Sequence, residues 1–132
     1  MRYVVLLAAC LSAGCFSNPS SADAVVGKPL ELKVGATATL AHGARLRFDE
    51  VRADSRCPID ANCIRAGDAT VAISVARSGS AFETRELRTD APASQISYGN
   101  YVIRLTQLQP YPRSDRAATP SDYGATFIVE AP

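Results

Sequence analysis

The stretch Leu30-Glu31-Leu32-Lys33-Val34 alternates apolar and charged side chains, and Gly35 ends it. An alternation with a period of two places every second side chain on one face of a β-strand, whereas a helical face repeats about every 3.6 residues. We therefore predict a strand whose two leucines and valine face a core and whose charged residues face water.

The same period recurs along the rest of the chain, and it predicts further strands near residues 37–40, 45–48, 71–75, 82–88, 101–105 and 125–129. Asp49-Glu50-Val51 breaks the alternation, which indicates a β-bulge. The run at 82–88 is largely charged, as is typical of an edge strand protected from pairing with other chains. We predict an all-β fold: a small antiparallel β-sandwich of about seven strands, immunoglobulin-like in outline. A small β-barrel is the alternative.

Length and charge narrow the classes of protein to which the chain can belong. A chain of 132 residues has room for one domain. Its formal net charge of +1, with arginines spread along the chain, argues against nucleic-acid binding, which needs clustered positive charge. We predict no nucleic-acid partner.

The first residues have the organisation of an export signal. Met1-Arg2-Tyr3 is positively charged, and residues 4–11 form an apolar run shorter than the ~20 residues that span a bilayer. The small residues Ser12-Ala13-Gly14 then lead into Cys15, and this segment resembles the bacterial lipobox, in which the cysteine is lipidated. Cys10 is the alternative lipidation site, but cleavage before it would leave a leader too short for an apolar region.

These features predict three parts: a lipoprotein-type signal peptide at 1–14, a lipidated cysteine with a flexible tether at 15–28, and a β-sandwich domain at 29–132. Phe16 stands where an aspartate would signal retention in the inner membrane. We therefore predict a lipoprotein of the cell envelope in the outer membrane, facing the periplasm. A soluble secreted or periplasmic protein is the alternative.

Two cysteines remain in the domain, and an oxidising compartment favours their pairing. We predict a structural disulfide between Cys57 and Cys63; a redox-active pair and a metal site are the alternatives. A zinc site would need further ligands, and His42 is the single histidine. We predict neither a metal nor a cofactor.

The segment around these cysteines carries the most specific motif. It reads Asp54-Ser55-Arg56-Cys57-Pro58, with Cys63 and a glycine turn at Gly67 following. Together with Pro110-Tyr111-Pro112, this block resembles a family of uncharacterised bacterial secreted proteins and lipoproteins, over most of residues 30–129. The family usually has tryptophan where this chain has Arg65. The resemblance implies a fold and a location, and no activity.

The same block supplies the candidate recognition loop, with Asp54, Arg56 and Arg65 as its residues. The alternative is a structural corner, in which Asp54 and Ser55 accept backbone hydrogen bonds and Arg56 pairs with a nearby carboxylate. Binding residues often lie on loops of a rigid scaffold. A second candidate contact patch consists of four tyrosines: Tyr98, Tyr101, Tyr111 and Tyr123.

No motif predicts catalysis. Ala41-His42-Gly43 is typical of a turn, and the chain contains no nucleophile elbow, zinc-protease motif or phosphate loop. We predict that the protein is not an enzyme and assign no catalytic residue. The expected function is a non-catalytic binding module tethered to the membrane through its lipid anchor, with an envelope protein or a glycan as possible partner. A structural accessory without a ligand is the alternative, followed by an enzyme.

Overall fold

A computed structural model describes residues 21–23 and 27–130, and of 21–23 it describes the backbone alone. The predicted signal peptide at 1–14 and the predicted lipidation site Cys15 lie outside the described residues. The strands are β1 Ser21–Asp23, β2 Pro29–Lys33, β3 Thr37–Thr39, β4 Arg45–Asp54, β5 Ala69–Ala76, β6 Glu83–Arg88, β7 Gln95–Tyr98, β8 Tyr101–Gln109 and β9 Gly124–Glu130. Two short 3-10 helices occupy Ala41–Gly43 and Pro120–Asp122.

The strands form two sheets, which confirms the predicted β-sandwich. The first has the order β1-β3-β4-β5-β6, antiparallel except for the parallel pair β1–β3. The second has the order β2-β9-β8-β7 and is antiparallel throughout. Within the described residues the sheets do not join into a closed barrel. In the first sheet, strands β3 to β6 are neighbours in chain order, and in the second sheet strands β7 to β9 are, so each group forms a meander. The immunoglobulin fold has Greek-key connections instead.

The core lies between the sheets and consists of the residues that the period of two predicts to face inward. Phe48 from β4 and Phe127 from β9 are fully buried, and their rings meet edge to face with centroids 6.1 Å apart. Around this pair lie Leu46, Ile73 and other aliphatic side chains from both sheets. The two phenylalanines therefore join the sheets at the centre of the domain.

Local features also follow the sequence. The pairing of β4 with β5 shifts register between Phe48 and Glu50, and again between Val51 and Ala53, as the predicted bulge requires. Strand β6 lies at a sheet edge, as its charges indicate. The described chain has nine strands rather than about seven, because β1 and β7 were not predicted. Strand β1 lies within the predicted tether, so the sandwich includes at least three residues of that segment.

In residues 21–23 and 27–130, no helix has both the length and the hydropathy that a membrane-spanning helix requires.

Candidate functional site

Residues 54–68, which connect β4 to β5, pack against residues 108–116, which follow β8; we call these two segments together the disulfide corner. Arg56 joins them. Its guanidinium donates to both carboxylate oxygens of Asp54, each at 2.8 Å, and to the carbonyls of Leu108 and Pro110, also at 2.8 Å. The Tyr123 hydroxyl donates to Asp54 at 3.0 Å. One side chain thus ties the end of β4 to the end of β8.

The Asp54–Arg56 ion pair is largely shielded from water. The side chain of Arg56 is 9% exposed and that of Asp54 is 12% exposed. Burial raises the pKa of Asp54, but the hydrogen bonds and charge of Arg56 outweigh it, so the pKa lies below its ordinary value. Burial and the hydrogen bond to Asp54 raise the pKa of Tyr123. The pair is therefore charged at neutral pH and braces the corner from within.

The base of the 54–68 segment is closed by backbone hydrogen bonds. Ser55 N–H donates to the Asp68 carbonyl and Cys57 N–H donates to the Ala66 carbonyl, both at 2.8 Å. Gly67 has φ +65° here, as predicted for the turn into β5. A Cβ at Gly67 would lie 1.9 Å from the carbonyl oxygen of Ser55, so the two sides of the segment approach too closely for any other residue.

Beyond this base, the predicted disulfide between Cys57 and Cys63 is present and closes a small loop. The loop is docked on the 108–116 segment at two points. Ile59 N–H donates to the Pro112 carbonyl at 3.0 Å, and Asp60 accepts hydrogen bonds from both the backbone and the hydroxyl of Ser114. The disulfide therefore fixes the two ends of the loop, and hydrogen bonds fix its middle, at Ile59 and Asp60, to the 108–116 segment.

The corner exposes apolar side chains. Ile64 is fully exposed, Ile59 is 61% exposed and Tyr111 is 46% exposed, and these are the exposed large hydrophobic residues of the described chain. The guanidinium of Arg56 lies 5.0 Å from the centre of the Tyr111 ring. All three hydrophobic residues belong to the disulfide corner, and exposed apolar residues that share one part of a surface are a common sign of an interaction surface.

The structure assigns different positions to the three residues of the predicted recognition loop. Asp54 and Arg56 form the internal brace, as in the structural alternative, so little of either side chain reaches the surface. Arg65 is exposed beside Ile64. Sequence reasoning did not identify Ile59 and Ile64, although two isoleucines in an otherwise polar cysteine loop are the signal that could have indicated them.

An open groove of about 650 Å³ runs beside the corner, between the 108–116 segment and the second 3-10 helix. Lys33, Arg113 and Arg116 contribute positive charge to its walls, and Asp54 and Asp122 contribute negative charge. Hydrogen bonds from Thr119, aided by the charges of Lys33 and Arg116, lower the pKa of Asp122. The groove is therefore lined by charges of both signs.

The predicted tyrosine patch is divided between the two ends of the sandwich. Tyr111 and Tyr123 lie at the corner. At the opposite end, the Tyr101 hydroxyl donates to the Ala41 carbonyl, and the Tyr98 hydroxyl accepts from the backbone of Arg77. These last two tyrosines are buried and act as fixing points of the fold.

His42 lies at this opposite end, in a turn as predicted, with φ +59°. An open groove of about 610 Å³ beside it is lined by Arg77, Ser78, Asn100 and Tyr101, among others, and the described lining residues include no carboxylate. A Ser–His pair there would lack the acidic group that orients the imidazole in a catalytic triad. Over residues 21–23 and 27–130, no group of three or more potential ligand side chains is arranged to hold a metal.

Comparison of the chain with protein-family models, with curated proteins and with solved structures finds no match in any of the three.

Proposed function

We propose that this protein is an exported lipoprotein of the cell envelope whose β-sandwich is a non-catalytic binding module, with the disulfide corner as its binding face. One observation carries the proposal: the exposed large hydrophobic residues of the described chain all lie on this corner. Full burial of an isoleucine side chain contributes about 2 kcal/mol. A partner that covers Ile59 and Ile64 would therefore gain a useful part of its affinity from these two residues.

The construction of the corner supports binding rather than a purely structural role. The disulfide, the Arg56 brace and the docking of Asp60 fix the backbone that presents the isoleucines. A surface that is rigid before binding loses less conformational entropy when it binds. The apolar character of Ile59 and Ile64 favours an apolar partner surface over a glycan, which offers mainly hydroxyl groups for hydrogen bonding.

Two features support the proposed location in the cell envelope: the sequence before Cys15 and the disulfide. The apolar run at 4–11 and the small residues before Cys15 favour export and lipidation. A disulfide between Cys57 and Cys63 is typical of an oxidising compartment such as the periplasm. Phe16 favours the outer membrane over the inner one.

The address is tested by the intact mass of the full chain extracted from membranes. We expect the mass of residues 15–132 plus the acyl groups on Cys15, less two hydrogens for the disulfide. A Cys15→Ser chain is expected to leave the membrane fraction. Recovery of an unmodified Cys15 would overturn the lipid anchor.

The binding face is tested by placing a photo-crosslinking amino acid at Ile64 in the full chain, in intact cells. The matched control carries the same amino acid at Ser78, which is exposed in a turn at the other end of the sandwich. We expect a discrete adduct, with protein or with lipid, from position 64 and not from 78. Equal yields at the two positions would refute the corner as a binding face.

A further inference from the structure

We infer that the surface met by the disulfide corner is the lipid bilayer itself, in the membrane that holds Cys15. In this arrangement Ile59, Ile64 and Tyr111 enter the interfacial layer of the membrane and form a second contact beside the lipid anchor. The inference rests on the proposed function, because it names the partner of the same binding face.

The direction of β1 indicates which end of the sandwich faces the anchor. Strand β1 runs parallel to β3, with Ser21 beside Thr37 and Asp23 beside Thr39. Strand β3 runs antiparallel to β4, whose C-terminal end leads into the corner. The chain therefore runs away from the corner as it passes along β1. The N-terminal end of β1, at Ser21, therefore faces the corner.

The length of chain between anchor and domain limits how far the membrane can be. Cys15 and Ser21 are six residues apart, and a fully extended chain of that length spans at most about 20 Å. Ser21 aligns through Thr37 with Arg47 of β4. From Arg47 to the end of the strand at Asp54 is about 23 Å for a regular strand, and less with its bulges. A lipid on Cys15 therefore keeps the bilayer no farther from Ser21 than about the end of β4, where the corner begins, so that the loop beyond this end can meet it.

The closeness of the anchor also favours lipid. Two isoleucines and one tyrosine offer on the order of a few hundred Å² of apolar surface. A contact this small becomes effective when the partner is already present at high local concentration, as a bilayer is for an anchored domain.

The side-chain chemistry of the corner suits the membrane interface. Aliphatic side chains partition into the boundary of the acyl chains, tyrosine is enriched at the interface, and arginines keep their charge in the headgroup layer. The two segments of the corner contain four arginines and four aspartates, so their formal charges balance, and Asp115 pairs directly with Arg113. The contact therefore depends on apolar burial, and we expect it in vesicles of zwitterionic phosphatidylcholine, which has no net charge.

The absence of tryptophan from the sequence permits a direct test. The full lipidated chain with Ile64→Trp is reconstituted into phosphatidylcholine vesicles that carry bromine on their acyl chains. We expect its fluorescence to shift to shorter wavelength and to be quenched by the brominated lipid. The matched chain with Ser78→Trp, at the far end of the sandwich, is expected to emit as an exposed tryptophan and to be quenched by aqueous acrylamide instead.

A second variant separates docking of the corner from the affinity of tryptophan for membranes. Adding Ile59→Ser to the Ile64→Trp chain removes a neighbouring apolar contact, so quenching by brominated lipid should fall. Undiminished quenching would overturn the inference, as would equal access of acrylamide to positions 64 and 78. If the photo-crosslinker at residue 64 attaches to a protein while the vesicles give no quenching, the binding face stands and the lipid partner fails. If neither experiment detects contact at residue 64, both proposals fail.

Discussion

Arg56 and Asp54, two residues apart in the chain, form a two-pronged ion pair, with Nε to Oδ1 and Nη2 to Oδ2 both at 2.8 Å. Two further N–H groups of the same guanidinium, one on Nη1 and one on Nη2, donate to the carbonyls of Leu108 and Pro110. A planar fork that reaches a carboxylate and two carbonyls at once is available only to arginine among the charged side chains. Arg56 is therefore a structural residue of the corner, and substitution of this residue tests that role.

Replacing Arg56 with alanine should lower the free energy of unfolding by about 3 kcal/mol, because it leaves the Asp54 carboxylate shielded and unpaired. Arg56→Lys should recover only part of the loss. The matched control is Arg65→Ala, an exposed arginine nearby, which should change stability by less than about 0.5 kcal/mol. Guanidinium denaturation of the three variants measures the difference, and equal effects at positions 56 and 65 would contradict the brace.

The same pair predicts an acid-sensitive corner. The pKa of Asp54 is lower in the folded chain than its ordinary value. A carboxyl group of this kind stabilises the fold above its unfolded pKa of about 3.9, and the contribution disappears as the pH falls through the folded pKa. The wild type should therefore lose more stability than Asp54→Asn between neutral pH and about pH 3. Unfolding midpoints at both pH values test this, since losses from the other carboxylates are common to the two chains; parallel declines would disprove it.

Gly67 and Gly79 form a matched pair of glycines with positive φ, of +65° and +75°. A Cβ at Gly79 would meet nothing within 4 Å, so Gly79→Ala should cost only the conformational penalty of about 1 kcal/mol. At Gly67 the Cβ would meet the Ser55 carbonyl, and the backbone must move. We expect Gly67→Ala to be clearly more destabilising in thermal unfolding. Similar melting temperatures for the two variants would contradict this expectation, because they would show that the backbone at Ser55 can move away from the added methyl group at little cost.

The disulfide should contribute modestly to stability, because its cysteines are separated by only six positions. The loss of chain entropy on closing so small a loop corresponds to about 2 kcal/mol. Replacing both cysteines with serine should lower the free energy of unfolding by that amount and leave the sandwich folded. The far-ultraviolet circular dichroism spectrum shows whether the variant is folded. Complete unfolding of the variant would mean that the disulfide stabilises the whole domain and not only the loop that it closes.

Ile64 should be dispensable for folding, since its side chain is fully exposed. We expect Ile64→Ser to change stability by less than about 0.5 kcal/mol, whereas Leu46→Ala in the core should cost about 3 kcal/mol. Denaturant titrations measure both. A large loss at position 64 would assign the isoleucine a packing role and weaken its use as a binding residue.

The period of two was sufficient to predict the sandwich, the bulge in β4 and the charged edge at β6, because each is a local consequence of which side chains alternate. It was not sufficient for β7, where Gln95–Tyr98 offers only four residues, with the partly buried Ile96 and the buried Tyr98 as its apolar side chains. Strand β1 is three residues long and polar, and its pairing with β3 is decided by contacts distant in sequence.

The candidate site was only half predictable for a related reason. The cysteine spacing indicated the disulfide, and the motif around Arg56 indicated that this arginine matters. The acceptors at Leu108 and Pro110 are backbone carbonyls, which every residue possesses, so no side-chain pattern could identify them. The inward direction of Arg56, and hence the exposure of the isoleucines around it, follows only from the three-dimensional arrangement.

The acceptors of Arg56 lie 52 and 54 residues further along the chain. During vectorial synthesis, and during the export that we propose, the cysteine loop emerges well before them, so its sulfurs can be oxidised before the segment on which it docks exists. The loop reaches its final position only once residues 108–116 are present. The two isoleucines therefore take their final positions only after residues 108–116 have been synthesised. A chain truncated before residue 108 would contain the disulfide-closed loop without the segment on which it docks.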